Sequence, residues 1–439
     1  MTASAALPQT FRALCEPDFG IVGALDEVAV APDAPRYRHY RARLCDMPTI
    51  GGVATARRLD VAGVDAMGAV SAAIRQAVSR YCAAMYERQG MPIATAAGAE
   101  FSCLMPSDFA LFGEAQYARP GYPYVPFLET TPVKWTSAVD LATGETIHAP
   151  AAMVWFPFTH RRGDGDLPIV CPDPGGLGTG EGVAAAALAG LCDVVARDAA
   201  ALFWRANIQP RKLRLASLPA RLRDMVHRFR PSGDPVTILD VTMDNRIPAF
   251  VAAVTSDRRD RPAHVFAVAA GLDPEAACAA ALTRLAGTRR DAADLMKERP
   301  APSETDDWED VIDPADHLRF AADHDNRSRF AFALESDEMT DFAEYESAGT
   351  GTVDGDLETM IGRIMATGYR VYAANLTSVD IGGLGLNVCR AIVPGYQSLF
   401  AGHHLRTLGG RRLYDAPQRL GHRGIAEGSR GNPAPHPFA

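Results

Sequence analysis

The chain has 439 residues, 47% of them hydrophobic, and a formal net charge of -9. That length and apolar content suffice for one large α/β domain or two or three lobes, and the acidic balance argues against a nucleic-acid binder, which needs a basic surface. The eight cysteines lack Cys-x-x-Cys spacing and the eleven histidines pair with none of them, which argues against a zinc site and for reduced thiols in the cytoplasm.

In chain order, Met1 to Phe11 lacks a basic stretch followed by an apolar run, so no signal peptide is expected. Residues 21–22, 27–30 and 37–44 read as short strands. Val64, Met67, Val70, Ile74, Val78 and Cys82 recur at three- and four-residue steps and predict a helix over 64–85. Residues 99–135, rich in Pro, Gly and aromatics, read as loops. Residues 151–158 read as a buried strand stopped at Pro157.

Gly176, Gly178 and Gly180 read as a glycine-rich turn entering an Ala-rich helix over 181–204, whose apolar run at 183–191 is too short to span a membrane. Such a turn serves either as a tight corner or as a cradle whose N–H groups face an anion. It satisfies neither the dinucleotide nor the P-loop spacing.

Further on, strands are expected within 235–254, around Ile247-Pro248, and a helix over 275–297. The basic residues between Arg205 and Arg230 fall largely on the solvent side of a helix at 219–229 and carry no nucleic-acid reading. Residues 304–358 hold 18 Asp and Glu against 3 Arg, which predicts a solvated acidic lobe with one helix at 314–322. Strands follow at 369–376 and 387–393. Pro433, Pro435 and Pro437 favour a polyproline II tail, either free or pre-stiffened for docking. The irregular alternation of strands and helices gives a mixed α/β (α+β) fold class.

Arg80, Arg197 and Arg289 each lie late on an Ala-rich helix. Singly they read as solvated helix ends; together they suggest a shared phosphate site.

Several segments together resemble the YcaO superfamily. Val70–Tyr81 resembles its Ser-Ala-x-Gly-Glu-Ala-x-Glu-Arg-Tyr helix, and Gly176–Ala199 its Gly-Leu-Ala-Ala-Gly segment and following Glu-Arg-Asp-Ala helix. Asp240–Phe250 resembles its Asp-x-Thr-x-Asp-x-Gly-Ile-Pro-x-Phe strand pair. Gly271–Arg289 and Val379–Tyr396 match two later blocks, the second ending Val-Pro-Gly. The resemblance implies mixed sheets with Ala-rich helices around a central cleft, as one domain over 1–420 that includes the acidic lobe at 304–358. An extended tail at 421–439 follows. The Pro-x-Pro-x-Pro ending is similar to that of the azoline-forming branch, whose members use ATP to convert Cys, Ser or Thr of a precursor peptide into thiazoline or oxazoline. It implies that Pro433, Pro435, Pro437 and Ala439 reach the catalytic site.

The departures from the family are selective. Where it uses acidic and amide side chains on three helices for Mg2+ and ATP, this chain has Gln76, Ser79, Asp193, Ala196, Arg284 and Gly287. Arg284 would place a cation where metal should sit. With Arg80, Arg197, Arg289 and Arg390, the residues Gln76, Ser79, Asp193 and Arg284 outline a degenerate nucleotide site with no metal site. The expectation is a cytoplasmic, non-membrane YcaO-like subunit with no cofactor, which scaffolds peptide modification. Its partners would be a precursor peptide and a leader-peptide-binding protein or an active YcaO paralogue, with room for a homodimer. The alternatives are an active ATP- and Mg-dependent cyclodehydratase and a nucleotide-independent peptide-binding scaffold.

Overall fold

The computed structural model describes residues 8–16, 20–109, 111–161, 163–304, 308–426, 429 and 431–438. Three sheets organise them. A three-stranded antiparallel sheet contains Val22–Glu27, Arg38–Leu44 and Arg58–Gly63 in that order. A second runs Ile93–Ala94, Val133–Asp140, Tyr372–Asn375, Asn387–Ile392, Leu177–Gly180, with Thr146–Pro150 paired to Val133–Asp140. The third runs His264–Ala270, Ala249–Thr255, Val236–Asp240, Arg211–Leu213, Met339–Thr340.

Three long helices fill the space between the sheets: α1 (Ala66–Ala84), α2 (Val183–Arg205) and α3 (Pro274–Glu298). Asp65 caps α1 by accepting from the Gly68 N–H at 2.7 Å. Asp273 caps α3, where Pro274 occupies a first-turn position that needs no N–H. Their alanines let backbones approach closely, and α1 buries Ala73, Ile74, Ala77 and Val78 against the three-stranded sheet. Strands 249–255 and 264–270 are buried on both faces, which fits their unbroken apolar runs.

The glycine-rich segment is a strand rather than a turn. Leu177–Gly180 pairs antiparallel with Asn387–Ile392 and lies under α2. A Cβ at Gly178 would stand 2.1 Å from the Ala186 carbonyl oxygen, and one at Gly180 2.6 Å from the Ala185 carbonyl carbon. These glycines serve close packing of helix on strand.

The apolar run at 151–158 also departs from expectation. Ala151–Val154 forms a helical turn, and the chain then passes the cis Phe156-Pro157 bond. The acidic segment is solvated in part: Glu335, Asp337, Glu338, Glu344, Glu346, Asp354 and Glu358 are all exposed. Its helix at Pro314–Ala322 forms as expected, but every residue from Asp316 to Ala322 is buried, and Trp308, Phe320 and Phe330 join the core around α2. The acidic groups are used locally: Asp313 and Asp316 cap that helix reciprocally.

The tail is packed. Asn432, Ala434, His436 and Phe438 are all buried. Trp204 Nε1 donates to the Ala434 carbonyl at 3.0 Å, His436 Nε2 lies 3.0 Å from the Phe400 carbonyl, and the Phe438 ring faces Phe266.

Candidate functional site

Helices α1, α2 and α3 converge on a cleft of about 780 Å³. Gln76, Ser79 and Arg80 enter from α1, Asp193 and Arg197 from α2, and Arg284, Gly287 and Thr288 from α3. The strand Arg58–Gly63 adds Asp60, and Phe438 of the tail closes part of the wall. Six of the eight nucleotide-site residues expected from sequence therefore meet in one place.

The other two lie elsewhere. Arg289 points away and donates to Asp234 at 2.8 Å, beside the Arg261–Asp234 ion pair. Arg390 lies behind the cleft, donating to the carbonyls of Met153 and Asp173 at 3.1 and 2.8 Å. Ala196, expected to face the metal position, instead buries its methyl in the core around α2. Of the tail residues expected at the site, Pro433, Pro435 and Pro437 are not in the cleft lining, whereas Phe438 is; Ala439 lies outside the described residues.

The electrostatics of the cleft turn on Asp193. Its Oδ2 accepts from Arg197 Nε at 2.8 Å and from the Gly176 N–H at 3.0 Å. Its Oδ1 lies 3.7 Å from Arg284 Nη1, which also donates to the Val268 carbonyl. Burial alone would raise this carboxyl, but Arg197, Arg284 and the Gly176 N–H together hold it at about 2. The N–H that could have faced a bound anion is thus taken by the chain's own carboxylate.

The remaining carboxylates of the cleft are also paired. Asp60 contacts Arg41, Arg58 and Arg290, and Asp291 accepts from Arg290 at 3.0 Å. Burial, reinforced by Asp60, pushes Asp291 up to about 6 against the opposing pull of Arg290. Sequence reasoning missed both groups. Asp291 was legible as the next step on the face that carries Arg284, Gly287 and Thr288.

Arg80 differs from the other cations. Its guanidinium lies over the Phe156 ring, 4.7 Å from the centroid. Burial, then Arg197 and Arg390, lower its pKa to about 10. Arg75 and Arg221 at the rim pair with Glu181 and Glu275. Gln76 Oε1 is buried without a hydrogen-bond partner.

A family model described as YcaO cyclodehydratase, ATP and Mg2+-binding, matches residues 62–397. The chain belongs to the YcaO family. Among solved structures, a heterocyclase in complex with substrate and cofactor aligns with TM-score 0.80 and 20% identity, covering 98% of this chain and 56% of that one. The YcaO protein of Methanopyrus kandleri, bound with AMPPCP and Mg2+, aligns with TM-score 0.60 and 19% identity, covering 88% of this chain and 87% of that one. An uncharacterized protein of Methanothermobacter thermautotrophicus is 27% identical over 60% of this chain and 66% of its own length. The chain thus spans a little over half the length of that heterocyclase and just under two thirds of that relative. No helix among the described residues is long and apolar enough to cross a membrane.

The YcaO fold implies ATP and Mg2+, and the donor set can be tested for them. Mg2+ needs near-octahedral oxygen ligands at about 2.1 Å. Each of the three carboxylates lining this YcaO cleft already carries a guanidinium, and no described residues group three or more His, Cys, Asp or Glu as a metal set. The donors do not fit a divalent cation.

Proposed function

We propose that this YcaO-family chain is a subunit of azoline-type peptide modification whose inherited nucleotide site no longer supports metal-dependent phosphorylation. It binds or scaffolds the complex that acts on a precursor peptide, together with a leader-peptide-binding protein or a metal-competent YcaO paralogue. The observation that carries this reading is the position of Asp193 between Arg197 and Arg284. A carboxylate held by two guanidiniums is a poor ligand for a third cation, because the metal must displace both ion pairs.

Calorimetric titration with Mg-ATP tests it. The expected result is no magnesium-dependent binding in the micromolar range. Micromolar affinity that disappears with EDTA would overturn the proposal.

A second reading is an active ATP-dependent cyclodehydratase. It draws on one feature, the Pro-x-Pro-x-Pro tail that brings Phe438 to the cleft wall. ATP consumption coupled to loss of water from a Cys, Ser or Thr of a precursor peptide, measured by mass spectrometry, would favour it.

A further inference from the structure

The helix Ala220–His227 separates two spaces. Arg221 and Met225 line the main cleft. Arg223, Val226 and His227, at three- and four-residue steps, line a groove of about 520 Å³ that shares no residue with the cleft. Leu215 and Ala216 of the helical turn Leu215–Ser217 complete it, with the chain that leads into the strand Val236–Asp240. Its aliphatic lining is Leu215, Val226 and Val236: the first is 37% exposed, the second half-buried, the third buried.

The groove carries uncompensated positive charge in a chain whose net charge is -9. Arg223 and Arg230 both line it and both are exposed. Arg223 donates to the Leu218 carbonyl, and Arg230 Nη2 lies 3.2 Å from His227 Nε2. Neither has a carboxylate partner among the described residues. Other arginines of the same basic stretch differ: Arg211 pairs with Asp240 and Glu344, Arg214 with Asp341, and Arg221 with Glu275. The acid of the lining, Asp234, is taken by Arg261 and Arg289. Asp224, on the same helix, is exposed and outside the lining. A guanidinium is a fork that fits a carboxylate, so this apolar trough is complementary to a peptide with acidic side chains beside an aliphatic one. Phe229, 1% exposed, offers no face on which a base stacks, which disfavours single-stranded nucleic acid. The recessed Val226 and Val236 suit an inserted side chain rather than a lipid surface, which needs protruding apolar groups.

We infer that this groove docks an acidic peptide segment of a partner protein. An aliphatic side chain of that segment seats on Leu215, Val226 and Val236, and flanking carboxylates meet Arg223 and Arg230. The space holds a few side chains, not a domain. A segment held here lies across one helix from Arg221 and Met225, beside whatever the cleft accepts. The inference does not depend on the chemistry of the cleft, since the two spaces share no residue.

The probe is a fluorescein-labelled peptide, Gly-Glu-Leu-Asp-Glu-Leu-Asp-Gly, titrated with the whole chain by fluorescence anisotropy. Saturable binding is expected, weakened at least about tenfold when lysine replaces each acid or serine each leucine, and weakened by added salt. Arg223→Gln with Arg230→Gln removes both charges and should weaken binding about tenfold or more. Ala216→Trp, at an exposed lining position, should do the same by filling the groove with no charge altered. All three positions are exposed, so the melting temperature is expected to stay unchanged. If the double variant lowers it, Ala216→Trp alone decides. Arg259→Gln, at an exposed arginine outside the groove, is the control and should leave affinity unchanged. No saturable binding at millimolar concentration, equal affinity for the lysine peptide, or affinity unaffected by the groove variants would each overturn the inference. So would tighter binding of polyuridine or of phosphatidylglycerol vesicles, lost in the double variant, which would assign the groove to nucleic acid or to a lipid surface.

Discussion

Arg284 faces Oδ1 of Asp193 at 3.7 Å while Arg197 holds Oδ2 at 2.8 Å, so one carboxylate is shared by cations from two different helices. Reversing the charge of the more exposed partner isolates its effect. Arg284→Glu should let the Asp193 carboxyl rise from about 2 and place a second carboxylate beside it. Magnesium binding in the millimolar range, absent from the parent protein, is the expected calorimetric outcome. If the variant remains blind to magnesium, Arg197 alone suffices to block the position.

Arg80 is a half-buried cation whose guanidinium lies over the Phe156 ring. Replacing such a group with an apolar side chain of similar length is neutral or stabilising. Arg80→Met is therefore expected to hold or raise the melting temperature, read by thermal unfolding. A fall in melting temperature would mean that Arg80 stabilises the fold.

Phe438 packs against Phe266 at 2% exposure. Phe438→Ala should destabilise the chain by about 3–5 kcal/mol, as for other fully buried phenylalanines, measured by urea unfolding. Removing 433–438 should lower the melting temperature further. A free, merely catalytic tail would leave it unchanged.

His317 and His436 stack with centroids 3.8 Å apart and planes 6° from parallel. Burial pushes His317 from 6.5 down to about 4, and His436 well below its ordinary value through burial and then His317. His403, lowered to about 2 by burial and then Arg406, adjoins them, and Asp313 opposes the shift of His317. The unfolded imidazoles bind protons near 6.5 and the folded ones do not, so stability is level above that pH. It falls as pH drops from about 6.5 toward 4. His317→Phe should make the decline in melting temperature between neutrality and pH 5 shallower. His39 and His264, both lowered to about 4 by burial first, keep it from vanishing.

Arg412 is 1% exposed and bridges Asp198 and Asp244, with its guanidinium 4.0 Å from the Tyr396 ring centroid. Arg412→Met would strand the Asp198 carboxylate, while Asp244 keeps Arg419 at 3.6 Å, and should cost about 3–5 kcal/mol in chemical denaturation. Adding Asp198→Asn should recover part of that loss, because the stranded charge is then removed.

The three cleft helices were legible because period and composition agree: small residues recur at helical steps, and the polar residues break that pattern on one side. Periodicity alone did not bring Gln76, Ser79, Asp193 and Arg284 to a common site; the resemblance to the YcaO family did. Leu177–Gly180 could not be read as a strand, since three of its neighbours in 176–180 are glycines with little preference for extended structure; only contact with α2 selects it. The run at 151–158 was ambiguous for its own reason, because a short apolar segment fits either periodicity. Acidic composition gave only half of 304–358: most of its carboxylates are exposed, but Trp308, Phe320 and Phe330 set between them join the core. The tail disclosed its prolines but not its burial, which depends on pockets around Trp204 and Phe266 supplied by distant segments.

The bond from the Gly176 N–H to Asp193 has an evolutionary corollary. Arg197, Arg284 and this backbone group restrain the same side chain, so any one substitution leaves it held by the other two. Redundancy of this kind makes the carboxylate's orientation tolerant of mutation: losing one restraint loosens Asp193 without setting it free.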